Sequence, residues 1–157
     1  MNTAYKPGDV HRYFTEVNII AQLSTTLVGK ILPDGVHPSH FAIVIHLVRM
    51  GDGQTPMRIA GAMQVSKATM SHSLAVLEKR GFIETRPCEV DARSKQVFLT
   101  EAGHAFHLEA IDRAARTFTA FLGDDERQAM TDALPGLIEI RKLLDDNRNP
   151  FFKDERR

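Results

Sequence analysis

Ser66-Lys67-Ala68-Thr69-Met70-Ser71-His72-Ser73-Leu74-Ala75-Val76-Leu77-Glu78-Lys79-Arg80-Gly81 carries the strongest local pattern in the chain. Serine caps helices well, because its hydroxyl accepts from the exposed N–H groups of the first turn. Met70, Leu74 and Leu77 recur at the spacing of one helix face, and Gly81 supplies a stop. With those three turned inward, the helical wheel turns Ala68, His72, Ala75 and Lys79 outward, flanked by Thr69 and Ser71. A shorter helix precedes this one. Thr55-Pro56 is a start signal, and Met57 to Met63 packs through Ile59, Ala60 and Met63 until Val65-Ser66 interrupts it. Two helices parted by two or three residues, the second opening on a capping serine, make a helix-turn-helix pattern.

On the C-terminal side, Phe82 to Arg86 and Gln96 to Thr100 are β-prone runs joined by a polar tip, Pro87 to Ser94. They predict a hairpin directly after the second helix, which makes the motif a winged helix. Thr100-Glu101-Ala102-Gly103 opens a long helix striped with Phe106, Ala110, Ala114, Phe118 and Phe121. A last helix begins near Asp124-Asp125-Glu126, acidic residues suited to a helix start, and carries Met130, Leu134, Leu137, Ile138 and Leu144. Pro135-Gly136 predicts a kink in it. On the N-terminal side, a helix from about Val10 to Leu32 shows a stripe of Tyr13, Val17, Ile20, Leu27 and Ile31, completed by Ser24. Pro33-Asp34-Gly35 breaks it, and Pro38 starts a helix with Phe41, Val44, Ile45 and Val48 that ends at Gly51-Asp52-Gly53. The fold class is mainly α with a small β-wing.

The chain has 157 residues, 43 % apolar and 25 % charged, an ordinary balance for one folded domain. Its single cysteine, Cys88, excludes an intramolecular disulfide and fits a reducing compartment. No stretch reaches the roughly 20 apolar residues of a bilayer span, and Met1 to Asp9 lacks the apolar core of a signal peptide. A cytoplasmic protein with no membrane partner is expected. Net charge is zero, but Met57 to Lys95 holds seven basic and four acidic residues, a local +3. A basic middle between acidic flanks is compatible with a DNA face on a non-basic scaffold.

The order helix, helix, helix-turn-helix, wing, two long helices resembles the MarR family of transcriptional regulators over nearly the whole chain. The resemblance is carried by Val65-Ser66-Lys67-Ala68-Thr69-Met70-Ser71-His72, by Leu77-Glu78-Lys79-Arg80-Gly81-Phe82-Ile83, by Asp91-Ala92-Arg93, and by Leu99-Thr100-Glu101-Ala102-Gly103, in that order. It implies a winged helix-turn-helix embedded between dimerisation helices. The organisation would be a tail over 1–9, a dimerisation helix over 10–36, and the DNA-binding region over 37–100. Within that region the recognition helix lies at about 66–80 and the wing at about 82–100. Dimerisation helices over 101–147 and a tail over 148–157 follow. The resemblance also implies double-stranded DNA and a second copy of the chain as partners, repression as the commoner outcome, and an aromatic or phenolic small-molecule effector whose pocket residues are unknown. The sequence departs from the pattern at three positions. Gln64 stands where the turn often has glycine, Ser73 where an apolar residue is common, and His72 where arginine is frequent.

Each candidate contact has a chemical reason. Ser66 can help place a phosphate on the exposed N–H groups of the helix start. Lys67 and Thr69 suit phosphate or base contact, Ser71 and His72 suit base edges, and small Ala68 lets the helix approach the groove floor. Arg93, at a hairpin tip, can enter a narrow minor groove where the negative potential is enhanced. Asp91 would orient Arg93 by a charge-assisted bond, and Lys95 would meet backbone phosphate. Cys88 at the foot of the wing offers a redox-switch reading, with Arg86 as a neighbour able to depress a thiol pKa; a bland exposed cysteine is the competing reading. His37, His40, His104 and His107 raise the thought of metal, yet no cysteine lies near and no HExxH-type spacing occurs. No cofactor is implied. No phosphate loop, Gly-x-Ser-x-Gly or framed carboxylate pair points to an enzyme. The alternatives to a DNA reader are a winged-helix module for protein partners, and a metal- or redox-responsive regulator.

Overall fold

The computed structural model describes residues 6–88 and 94–147. Six helices and a two-stranded antiparallel sheet occur among them: α1 (Pro7–Ile31), α2 (Pro38–Met50), α3 (Pro56–Met63), α4 (Lys67–Lys79), β1 (Ile83–Pro87), β2 (Lys95–Leu99), α5 (Glu101–Thr119) and α6 (Asp124–Asn147). The chain divides after Ala115 into two units.

The first unit owes its helix starts to proline. Pro7, Pro38 and Pro56 each sit in a first turn, where the missing N–H removes no helical bond. α1 therefore starts at Pro7 rather than Val10; the apolar stripe marks a face and not an end. It stops at an extended Leu32, as the residue before Pro33 must be. Only the end of α1 meets the core, through Val28 and Leu32. Higher up, Tyr13, Phe14, Ile19, Ile20 and Leu23 are exposed.

The core gathers Leu32 and Val36 with Phe41, Ile43, Val44 and Leu47 of α2, Ile59 and Ala60 of α3, and Met70, Leu74 and Leu77 of α4. Ile83, Val97 and Leu99 of the sheet and Phe106 and Ala110 of α5 complete it. Each fully shielded aliphatic among these contributes about 1.5–3 kcal/mol. The inward face of α2 differs from the expected one. Ile43 and Leu47 are buried, while Ile45 and Val48 are turned outward, because α2 packs against α1, α4 and β2 rather than one neighbour.

β1 and β2 pair with Ile83 opposite Leu99 and Pro87 opposite Lys95. The break at Gly51-Asp52-Gly53 does more than end α2. The Val97 N–H donates to the Gln54 carbonyl (2.9 Å), and the Gly53 N–H to the Val97 carbonyl (2.9 Å), so Gln54 forms an isolated bridge on the far edge of β2. Asp52 Oδ1 accepts from the Leu99 N–H at 3.1 Å, and the Gln96 amide donates to the Gly53 carbonyl at 2.9 Å. Buried Gln54 uses its side chain on the Gly51 carbonyl (2.9 Å) and on His46 Nε2 (3.1 Å). These bonds fix the wing's base to the helical body.

The join from wing to α5 explains Thr100 to Gly103. Thr100 donates its N–H to the Phe82 carbonyl (3.2 Å) and its hydroxyl to the Gly81 carbonyl (2.5 Å), and accepts from the Gly103 N–H at 3.0 Å. This packs the start of α5 so close to Phe82 that a Cβ on Gly103 would fall onto the Phe82 carbonyl oxygen, with Leu99 Cδ2 at 3.2 Å. Beyond it the Phe82 and Phe106 rings stack with centroids 4.3 Å apart, and Phe41 meets Phe106 edge-on at 5.6 Å.

In the second unit, α6 runs unbroken through Pro135 and has no buried residue among those described. Met130, Leu134, Leu137, Ile138, Leu143 and Leu144 are all exposed on it. Among the described residues no helix is long and apolar enough to cross a membrane.

Gly103→Ala forces a methyl against backbone that has no rotamer to yield. It lowers unfolding free energy by about 1–3 kcal/mol in urea denaturation, despite alanine's better helix propensity.

Candidate nucleic-acid interface

α3 and α4 meet at Gln64, the helix C-cap, which sits in the left-handed region at φ 54° and ψ 40°. The expectation that this turn must tolerate a side chain holds, and an L-residue there carries roughly 1–2 kcal/mol of strain. The Val65 N–H closes the turn on the Ala60 carbonyl at 3.1 Å.

Ser66 caps α4. Its hydroxyl accepts from the Thr69 N–H at 3.1 Å and lies 2.8 Å from the Thr69 hydroxyl. Both oxygens are thus committed to each other and to the cap. The N–H groups of Lys67 and Ala68, which no helical bond can satisfy, remain to meet an anion. Along the helix Met70, Ser73, Leu74 and Leu77 are buried. Lys67, Ala68, Thr69, Ser71, His72, Ala75 and Lys79 are exposed, as the wheel predicts. Ser73 does occupy a core position, with a hydroxymethyl where an aliphatic chain would fill more space.

Lys95 is exposed at the start of β2, on the strand that returns from the wing tip. Asp91 and Arg93 lie outside the described residues. Cys88 is half-buried just past β1, and its N–H donates to the Ser94 carbonyl at 2.9 Å. Two of the six local basic residues among those described are occupied structurally. Arg80 donates to the Asp34 carbonyl, tying the end of α4 to the α1–α2 turn. Arg86 pairs with Glu84 and lies over the Phe98 ring at 4.6 Å. No local pattern signals either task, since Asp34 is 46 positions from Arg80 and Phe98 lies across the sheet. Among the described residues of this stretch, the exposed cations besides these two are Arg58, Lys67, Lys79 and Lys95.

Histidines build the start of α2, close behind α4. His37 is the cap: its Nδ1 accepts from the Ser39 N–H at 3.2 Å, while His40 Nδ1 accepts from the His37 N–H at 3.1 Å. This is a reciprocal capping box made of two imidazoles in place of a hydroxyl and a carboxylate. Both acceptors exist only while Nδ1 carries no proton. Burial, then the neighbouring charges of His37 and of His72 on α4, hold His40 below its ordinary pKa of 6.5. On α5, His107 lies beside Phe41, with ring centroids 6.2 Å apart. Among the described residues no three His, Cys, Asp or Glu side chains come together as a metal would require.

Residues 34–94, from the α1–α2 turn to the return of the wing, match the family model described as the MarR family. No curated protein matches the chain in sequence. Among solved structures, a MarR transcriptional regulator from Methanosarcina mazei Go1 is similar, with 21 % identity over 85 % of this chain and 99 % of that one, at a TM-score of 0.67. A mutant of MarR from E. coli, complexed with operator DNA, shares 19 % identity over 82 % and 95 % of the two chains, at 0.59. PcaV from Streptomyces coelicolor, in complex with its natural ligand, shares 19 % over 88 % and 96 %, at 0.52. At these identities the likeness is one of fold.

Two outcomes follow from the geometry. Gln64→Gly removes the left-handed strain at a smaller cost in unfolded-chain entropy, and raises stability by up to about 1 kcal/mol in thermal melts. Because the folded pKa of His40 is depressed, the stability that its neutral form supplies is complete above about pH 6.5 and drains away as pH falls through and below that value. Gln at the same position accepts the His37 N–H without titrating. Melting temperature between pH 5 and 7 therefore varies less in His40→Gln than in the parent; an identical pH profile refutes the role given to His40.

Proposed function

We propose that this chain, a MarR-family transcription regulator with a DNA-binding winged helix within residues 34–94, works in the cytoplasm as a homodimeric repressor. Each copy of α4 reads one half of a pseudo-palindromic operator. The observation that carries this reading is α4 itself: a capped helix that buries one apolar face and exposes the other as small and cationic residues, with a wing beside it.

Lys67, with the free N–H groups of the first turn, holds backbone phosphate, while Ser71 and His72 face base edges and Ala68 lets the helix approach. Neutral overall charge does not oppose this, since counterion release depends on the cations at the contact. Lys95 meets phosphate from the wing. Arg93, oriented by Asp91, enters the minor groove.

One reading helix buries too little for tight binding, which favours two copies about 34–36 Å apart. The exposed apolar residues of α1 (Ile19, Ile20, Leu23) and of α6 (Leu134, Ile138, Leu143) suit a partner surface, since isolated folded chains rarely expose so many. An effector would act by changing the spacing of the two heads.

The test is to select the bound duplex from a random pool and titrate it by fluorescence anisotropy at low and moderate salt. Affinity falls steeply with salt, light scattering gives the mass of a dimer, and Arg93→Ala weakens specific binding by about 1–3 kcal/mol. A salt-independent interaction favours the protein-binding module instead, a monomeric mass removes the dimer, and an unchanged dissociation constant removes the Arg93 assignment.

A further inference from the structure

The joint between the reading helix and the wing contains a carboxylate to which no local pattern assigns a task. Glu78 sits in the last turn of α4, and one of its oxygens, Oε1, accepts twice from Thr85 in the middle of β1. The Thr85 hydroxyl donates at 2.7 Å and the Thr85 N–H at 3.2 Å. The strand pairing explains why that N–H is available. Val97, opposite Thr85, spends its own N–H and carbonyl on Gln54 and Gly53 across the other edge of β2. Val97 and Thr85 therefore form a non-hydrogen-bonded pair, and the Thr85 N–H points away from β2 to the open edge of the sheet. An open edge N–H needs an acceptor from water or from another element. Here the acceptor is the C-terminal turn of the reading helix.

An acid is a costly choice at this place. The negative end of the helix macrodipole disfavours it, and on a face that meets phosphate it subtracts from non-specific attraction. Lys79 and Arg80 beside it are the residue types that the last turn favours. A hydrogen-bonding carboxylate kept there is explained by the two bonds it makes, which together outweigh one neutral bond.

We propose that Glu78 is a positioning residue: by holding Thr85 it fixes the angle between α4 and the wing, so that helix and wing meet DNA as one rigid body. The proposal rests on the DNA-reading function above and adds to it the element that sets the geometry of reading. The base of the wing is anchored on its other edge by Asp52, Gly53 and Gln54. The α4–β1 turn is closed by the Phe82 N–H on the Leu77 carbonyl (3.0 Å), with Ile83 buried beside Leu77, and the Glu78 bonds extend that tie by side chain to the middle of β1. Arg86, braced on Glu84 and Phe98, stiffens the hairpin within itself and not against α4.

The experiment measures operator affinity of the full-length protein and of four variants, with melting temperature and light-scattering mass as controls for folding and assembly. Glu78→Ala lowers specific affinity about tenfold or more while affinity for unrelated duplex is unchanged or higher. Glu78→Gln, which keeps an acceptor and loses the charge, retains specific affinity. Lys95→Ala weakens binding in the parent but adds little in the double variant Glu78→Ala/Lys95→Ala, because a wing no longer aimed cannot use its lysine. Hydrogen exchange read by NMR on the free protein reports the joint without DNA: the Thr85 amide exchanges faster in Glu78→Ala. Unchanged exchange at Thr85 overturns the joint itself. Faster exchange with unchanged or tighter operator binding, equal losses in Glu78→Ala and Glu78→Gln, or full additivity with Lys95→Ala overturns the positioning role. If the parent binds no duplex at all, the function proposed above fails and the DNA role of Glu78 with it.

Discussion

One helix has to be two things at once. α4 buries Met70, Leu74 and Leu77 against α2, α3 and the sheet, and that burial is what holds its opposite face still at the surface. The exposed side chains of that face are short or flexible and cannot order themselves. Their placement is inherited from three apolar residues on the far side, whose shielding is worth several kcal/mol in total. Ser73 marks the one point where this buried face is less than fully apolar.

The ends of α4 are secured by different chemistry. Its start is closed by Ser66 and Thr69, and its end is tied to the α1–α2 turn through Arg80 and to β1 through Glu78. Behind it, Thr100 and Gly103 lock the return of the wing onto α5 at a distance only glycine permits. The result is a body in which polar bonds supply direction and apolar packing supplies stability.

Charge in this protein is arranged locally. Of the six described basic residues between Met57 and Lys95, Arg80 and Arg86 serve the fold, and three lysines with Arg58 are displayed. Counting charge along the sequence could not separate the two groups. The histidines at the start of α2 add a feature of another kind: a helix cap built from two imidazole acceptors, on a helix that packs against α4.

Features that depend on neighbours a few positions apart were legible in one dimension. Periodicity marked the helices, proline and glycine marked their ends, Ser66 marked the cap, and the wheel of α4 separated inner from outer residues. These are short-range consequences of backbone geometry, so they are written in short-range patterns. The inner face of α2, the bridge at Gln54, the structural use of Arg80 and the bonds from Thr85 to Glu78 were decided only in three dimensions. Each joins elements whose distance and angle are set by packing. An arginine that donates to a carbonyl 46 positions away looks, in one dimension, the same as one left for a phosphate.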